Sequence, residues 1–409
     1  MSDFTFQHLE TEEDIEQNLE LQRKVFSQDL TIDAMIKKFI YSHPKMTLKN
    51  HYIMKYDDKA VATLNLIPLD WSIGGVPLRV AEMGNVATLP EYRNLGLIRR
   101  LVAEYHKDVD SQGYDLSTIE GIPGFYRQFG YDYALTHDEE ASIPIEKLPD
   151  CESRLEFRPF VEKDLPAAET LLAESQRKFL VHSVRDDAIW RMQQATGLAG
   201  EYGYEAYTVE SSGGMVAYFR VSGKPAPEEK QLILREATDT SHPTTLAILG
   251  FLKTHSKKQG YETLVARTSY QDPIAHILES LGAQQHPPYA WQIRITDPVS
   301  LLRKMRPLFE LRIAASEYRG LTEKLNVNFR RFRIQLTIED GSFTGIEPLK
   351  TEEPCAVGLN PPASTQLILG HRSRQELEQC HPDFIVRPTY KRLIDVLFPK
   401  LPSYIHVGY

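Results

Sequence analysis

The residues from Met83 to Asp110, MGNVATLPEYRNLGLIRRLVAEYHKDVD, change their hydrophobic period partway along, and the rest of the chain is organised around that switch from strand to helix. Met83 to Leu89 contains β-formers and ends at Pro90, which cannot continue a central strand. From about Leu97 the period is helical. Ile98, Leu101, Val102, Tyr105 and Val109 share one face, while Arg99, Arg100, Glu104 and Lys107 take others. The turn between strand and helix holds Arg93 and Gly96. A glycine-containing turn that opens a helix aims free backbone N–H groups at whatever sits there, and the helix dipole favours an anion. Arg93 adds a permanent charge whose bidentate fork suits phosphate. The expectation is a turn that holds a pyrophosphate. The plainer reading of the same residues is a structural glycine and a solvated arginine. The turn is neither a P-loop nor a dinucleotide fingerprint, since both need more glycines at other spacings.

At 409 residues, two or three domains are expected, each large enough to bury an ordinary core. An apolar fraction of 42% and a charged fraction of 25% are those of a soluble globular protein. The net charge of −9 argues against nucleic acid as the main partner and permits a cationic substrate. Cys151, Cys355 and Cys380 lie far apart, which suggests neither a disulfide framework nor a zinc site and fits a reducing cytoplasm. The N-terminus is polar and acidic and reads as no signal peptide, and no run of roughly 18 apolar residues marks a membrane span.

In chain order, Phe4 and Phe6 suggest a strand, and Thr11 caps a helix whose first turn is acidic. Two extended runs, 51–56 and 60–70, flank the polar turn Asp57-Asp58-Lys59, and Gly74-Gly75 marks a hairpin into the strand at Met83. A further strand, 115–120, follows the helix at 97–110. The polar, proline-containing segment 135–153 is read as the first domain boundary. The next region repeats the pattern: a strand LEFRPF, a helix from Asp164 to Arg177, a hairpin at 206–209 and 214–221, a strand at 232–237, a helix at 244–259, a strand at 263–266 and a helix at 273–281. The last region, from about Asp297, predicts strands at 332–338 and 343–346 joined by Asp340-Gly341, a strand at 365–369, a helix at 373–380, and a final amphipathic helix that Pro399 stops.

Arg93-Asn94-Leu95-Gly96, following a strand and Pro90, resembles the acetyl-CoA loop of the GNAT acetyltransferase superfamily: Arg or Gln, two residues, Gly, one residue, then Gly or Ala. Ile98 stands where that pattern has Gly or Ala. The run EGIPGFYRQFGY, 120–131, is similar to the Tyr-x-x-x-Gly-Phe/Tyr ending of GNAT domains. With the chain length and the third region, the whole chain resembles in outline the Eis-like (enhanced intracellular survival) acetyltransferases. The resemblance implies an α/β and α+β chain. A cofactor-binding GNAT domain would span 1–150, a degenerate GNAT-like domain 151–296, and a sterol-carrier-protein-like domain 297–409. The second copy's loop, Asp239-Thr240-Ser241-His242-Pro243, has no Arg or Gly and puts an acid where phosphate would sit.

The resemblance also implies site roles. Two strands would splay, and the backbone of Val86 and Thr88 would pair with the pantetheine arm of acetyl-CoA. Arg93, Asn94, Gly96, Leu97, Ile98 and Arg99 would surround the pyrophosphate, and Ile119 and Glu120 would line the other side. Tyr126 would protonate the leaving thiolate, a plausible acid because a phenol pKa of ~10 is near that of a thiol. The terminal carboxylate of Tyr409 would accept the amine proton, given burial to raise its ordinary pKa of ~3.5. Glu120 or a carried water is the alternative base, and a frayed terminus is the plain reading of the tail. Trp71 and Phe125 would border an acidic substrate pocket suited to an aminoglycoside-like amine, a polyamine or a lysine, although Trp71 fits a core position equally well. No metal is implied. The resemblance further implies a homo-oligomer, namely a hexamer. The competing expectation is a non-enzymatic acyl-CoA or lipid binding protein.

Overall fold

Thr11 opens the first helix through a capping box. Its hydroxyl accepts from Asp14 N at 3.1 Å, while Asp14 Oδ2 accepts from Thr11 N at 3.0 Å. The computed structural model describes residues 4–29, 31–137, 139–197, 204–222, 230–330, 333–349 and 353–409. The first unit contains β1 (Thr5–His8), α1 (Glu12–Val25), α2 (Ile32–Tyr41), β2 (His51–Tyr56), β3 (Lys59–Ile73), β4 (Val76–Thr88), α3 (Leu97–Ser111), β5 (Leu116–Ile119) and β6 (Asp132–His137). The second contains β7 (Glu140–Pro144), β8 (Glu156–Pro159), α4 (Leu165–Gln176), β9 (Val181–Val184), α5 (Asp187–Thr196), β10 (Tyr204–Ser211), β11 (Gly214–Ser222), β12 (Gln231–Ala237), α6 (His242–Gln259), β13 (Thr263–Ala266), α7 (Pro273–Ser280), β14 (Gln284–His286) and β15 (Tyr289–Ile295). The third contains α8 (Pro298–Lys304), α9 (Arg306–Ala314), β16 (Glu323–Asn328), β17 (Arg333–Glu339), β18 (Ser342–Pro348), β19 (Val357–Gly358), α10 (Pro361–Ile368), α11 (Arg374–Cys380), β20 (Ile385–Val386) and α12 (Lys391–Leu397).

The first sheet runs β1-β2-β3-β4-β5-β15-β6, with β9 paired to the far half of β3. The second runs β14-β7-β13-β12-β11-β10-β8, and the third β18-β17-β16-β19-β20. In both of the first two sheets, a parallel pair joined by a crossover helix is the only parallel pairing among the described strands: β4 with β5 across α3, and β12 with β13 across α6. The two units also exchange a strand. β15, at the end of the second unit, inserts between β5 and β6. β7, following directly on β6, inserts between β13 and β14. Strand membership therefore crosses the boundary expected at 150 in both directions. The segment 135–153, read as the first domain boundary because it is polar and proline-containing, contains half of β6 and all of β7.

One assignment of the third region is corrected. The expected strand at 365–369 is the helix α10. Asn360 Oδ1 accepts from Ala363 N at 2.8 Å, and two prolines follow the cap, where their missing N–H groups cost nothing. The expected strand starting at Phe332 begins outside the described residues and is seen from Arg333 as β17. Sequence reading gave no helix at α2, whose Phe39 is 1% exposed and packs in the first core.

If β15 is a structural member of the first sheet, truncating its fully buried Ile293 should destabilise that sheet. Ile293→Ala should lower unfolding free energy by about 2–5 kcal/mol, measured by denaturant titration. A loss under about 0.5 kcal/mol would mean the inserted strand contributes little packing.

Candidate active site

β4 and β5 share only three rungs, Val80–Leu116, Ala81–Ser117 and Glu82–Thr118, and then part. The cause is local. Between Asn65–Gly84 and Thr63–Ala87 the β4 side carries one extra residue, a bulge with Asn85 at φ +50°. Side chains hold that bulge from behind. Asn65 Nδ2 donates to Asn85 Oδ1 at 3.0 Å, His51 Nδ1 lies 3.1 Å from Asn65 Oδ1, and Gln22 Nε2 donates to Asn85 O at 3.1 Å.

Past the bulge lies a groove of about 750 Å³, ordinary for a small-molecule site. It is lined by Val86, Thr88, Arg93, Asn94, Gly96, Leu97, Ile98 and Arg99 on one side, and by Phe125 and Tyr126 on the other. Asn94 has φ +64° and Gly96 φ +75°. A side chain at Gly96 would meet nothing within 4 Å, so glycine is favoured there by its backbone angle and not by space. The first intrahelical bond of α3 runs from Arg100 N to Gly96 O, which leaves the N–H groups of Leu97, Ile98 and Arg99 without a helical acceptor. Arg93 is exposed and makes no ion pair among the described residues. Arg99 is held by Gln128 Oε1 at 2.6 Å. The Thr88 hydroxyl has no hydrogen-bond partner. Free N–H groups, an unpaired guanidinium and an orphan hydroxyl fit a bound diphosphate and its attached arm.

Tyr126 is 5% exposed, and burial alone pushes its hydroxyl above the ordinary range. Its ring lies so close over Gly121 that an added Cβ there would fall 2.2 Å from it. Gly121 O is fixed in turn by Tyr289 OH at 2.5 Å and Gln292 Nε2 at 2.8 Å, both from the β15 strand.

Two expected cofactor residues lie elsewhere. Ile119 is 2% exposed and packs in the core beneath α3. Glu120 is exposed and pairs with His137 Nε2 at 2.7 Å. The far wall of the groove is instead built from Ile122, Phe125, Tyr126, Gln128 and Phe129. The two expected substrate residues are also separated. Phe125 lines the groove, whereas Trp71 is 1% exposed and meets Trp291 edge-on at 5.8 Å.

Sequence reading missed Glu82. It occupies the last rung before the strands part, is 4% exposed, and has Oε2 buried without a partner. Its Oε1 accepts from the Tyr409 hydroxyl at 2.7 Å. Burial, and then the charge of Glu120, push the Glu82 carboxyl up to about 8, against smaller lowering effects of Tyr409 and His137. Burial and the neighbouring carboxylates push the Tyr409 phenol well above its usual value. Tyr409 itself packs T-shaped on Phe39 at 5.1 Å, so the tail ends in the first unit. The signal available in the sequence was a lone carboxylate inside the apolar run VPLRVAEMGNV.

In the second unit the equivalent turn is filled. Lys178 Nζ binds Asp239 at 2.6 Å and Asp272 at 2.7 Å, and the cleft there is too narrow to admit water. Among the described residues no group of His, Cys, Asp and Glu could hold a metal, and no helix is long and apolar enough to cross a membrane.

The elevated pKa of Glu82 has a thermodynamic sign. Its folded value, about 8, lies above the ordinary 4.5, so the folded state keeps a proton that the unfolded state releases. The resulting stabilisation is complete below about pH 4.5 and is lost as pH rises through 8. Glu82→Gln cannot titrate, so its unfolding midpoint should rise relative to wild type across that window. A constant difference between the two proteins would mean that Glu82 titrates normally.

Residues 8–134 match the family model described as an acetyltransferase (GNAT) domain. None of the curated proteins matches the sequence. Among solved structures, the chain is similar to a GCN5-related N-acetyltransferase from Anabaena variabilis, at TM-score 0.76 and 17% identity over 98% of this chain and 99% of that one. A conserved protein of unknown function from Enterococcus faecalis, a probable N-acyltransferase, gives 0.76 and 17% over 99% of each. Eis1 from Mycobacterium abscessus gives 0.64 and 13% over 100% of each. Residues 8–134 thus match a GNAT acetyltransferase domain, and the whole chain shares its mixed α/β fold with these solved structures.

Proposed function

We propose that the chain is an acetyl-CoA-dependent N-acetyltransferase acting on a cationic amine. The observation that carries this reading is one gap between strands with a diphosphate-type turn at one end and a buried carboxylate, Glu82, on its last closed rung.

Transfer of an acetyl group from acetyl-CoA to an amine asks the protein to bind, to remove one proton and to supply another. Arg93, Asn94, Gly96 and the N–H groups of Leu97, Ile98 and Arg99 would hold the diphosphate. The backbone of Val86 and Thr88, released from pairing with β5, would carry the arm, and a backbone N–H near Thr88 would donate to the developing oxyanion. Glu82 would take the proton from the ammonium. A base that titrates near neutral pH is matched to that task, and a carboxylate at an ordinary 4.5 is not. Nitrogen then bonds to the acyl carbon, the carbon–sulfur bond breaks, Tyr126 gives its proton to the sulfur, and the acylated nitrogen yields its second proton to the phenolate, while Glu82 releases the first to solvent. Tyr409 offers two groups: the hydroxyl, already bonded to Glu82, and the terminal carboxylate that the Eis-like resemblance assigns as base. The carboxylates of Glu82 and Glu120 favour a cationic acceptor, such as an aminoglycoside-like amine, a polyamine or a lysine.

The second unit, its turn closed by Lys178, Asp239 and Asp272, would bind no coenzyme. The same resemblance extends the proposal to units at 1–150, 151–296 and 297–409, a sterol-carrier-type third unit, and a cytoplasmic homo-oligomer, namely a hexamer.

Acetyl-CoA should raise the unfolding temperature in a thermal-shift titration, and Arg93→Ala should weaken that binding about tenfold, as expected for one charge-assisted contact. Tyr126→Phe should lower kcat with an amine acceptor by about 10²-fold with little change in acetyl-CoA affinity. Full activity in both variants would overturn the assignment. The two candidate bases separate cleanly. If Glu82 is the base, Glu82→Gln removes the acid limb of the kcat/KM pH profile while Tyr409→Phe, which keeps the terminal carboxylate, retains it; an unchanged limb in Glu82→Gln transfers the role to Tyr409.

A further inference from the structure

Residues 402–409 cross the second unit before they reach the first sheet. Leu180 N donates to Pro402 O at 2.7 Å, Val181 N to Ser403 Oγ at 3.1 Å, and Tyr404 N to Val181 O at 3.0 Å, while Tyr404 forms a parallel bridge with His182. Gln176 Nε2 lies 3.1 Å from Nδ1 of the buried His406. Two side-chain donors then converge on one carbonyl: Arg185 Nε and Gln193 Nε2 each lie 3.1 Å from Val407 O. Both are fixed from behind. The Arg185 guanidinium forks onto Glu236, with side-chain exposures of 1% and 2%, and lies 5.0 Å over the Trp190 ring. Gln193 is fully buried, and its Oε1 accepts from Arg220 Nη1 at 3.1 Å. One residue beyond Val407, a Cβ on Gly408 would sit 3.0 Å from Leu69; one further, the Tyr409 hydroxyl reaches Glu82.

A terminus that merely frays has no use for two converging donors. A buried ion pair such as Arg185–Glu236 is also a poor device for stability, because desolvation offsets most of its attraction. What that pair does achieve is to fix the direction of Arg185 Nε. We propose that the second unit, in which the coenzyme turn is closed, serves the first as a clamp: Arg185 and Gln193 are positioning residues that hold Val407, and through it Tyr409, against Glu82. The inference rests on the reading of Glu82 as part of the acceptor site. It assigns the second unit a role in the first unit's chemistry without any coenzyme of its own.

The test uses the full chain. Gln193→Glu keeps the acceptor for Arg220 and removes the N–H given to Val407. His406→Ala loosens the same tail from its own side and leaves the second unit's core intact. Amide hydrogen exchange of residues 404–409 and steady-state kinetics with an amine acceptor are measured for each. Both variants should speed tail exchange by about tenfold or more, for a segment released into local opening. Both should lower kcat by about tenfold or more while KM for acetyl-CoA stays within about twofold, as expected when only geometry at the reacting end is lost. In a chain ending at His406, Gln193→Glu should have no further effect on kcat. Unprotected tail amides in the wild type, or exchange unchanged in both variants, would overturn the clamp. So would an equal kcat loss from Gln193→Glu in the shortened chain, which would mark an effect on folding. A wild type that acetylates no amine sinks the transferase reading, while the exchange data still decide whether the tail is clamped.

Discussion

The separation of β4 from β5 after the Glu82–Thr118 rung is the constraint on which the site depends. A parallel pair of fully laddered strands would leave no backbone free for a ligand and no gap to enter. Here one extra residue at Asn85, held by Asn65, His51 and Gln22, bends β4 away. The strain of a positive φ at an asparagine is modest, and a hydrogen-bonded side chain offsets it. Everything functional is then placed by that divergence: the groove above it, the turn at Arg93–Gly96 at its far end, and Glu82 at its closed end.

How legible was this from the chain alone? Features whose physics is local were readable. The helix α3 follows from its 3.6 period, and the turn follows from Arg93 and Gly96, which act through backbone angle and charge within four residues. Thr11 and Asp14 announced α1. Features assembled from distant segments were not readable. Glu120 was expected to line the groove, but His137, on a strand hidden in a polar stretch, draws it aside. Trp71 was offered as a substrate contact, but Trp291, arriving on a strand inserted from far along the chain, makes it part of the core. Helix α10 was mistaken for a strand because the three-residue apolar run Leu367-Ile368-Leu369 has no decisive period; the Asn360-Pro361 cap was the better guide.

The two repeated units show how one topology accommodates opposite charge at the same turn. In the first, the residue opening the turn is an unpaired arginine, and the helix begins at a glycine in the left-handed region. In the second, Ser241 caps the helix with its own hydroxyl, which takes the place an anion would occupy, and Lys178 neutralises the acids beside it. The fold is preserved because its core positions are apolar in both. The turn residues proposed to hold an anion in the first unit are replaced in the second, where Lys178 pairs with Asp239 and Asp272.

The exchange of β7 and β15 bears on how the chain must be made. Until residue 295 has left the ribosome, the first sheet has an open slot between β5 and β6, exposing unsatisfied strand edges on both sides. The nascent first unit therefore has to wait, partly built, through the synthesis of roughly 150 further residues, the size at which populated intermediates become common. Translation rate and chaperone access over that interval, more than the final stability, should govern the yield of active protein.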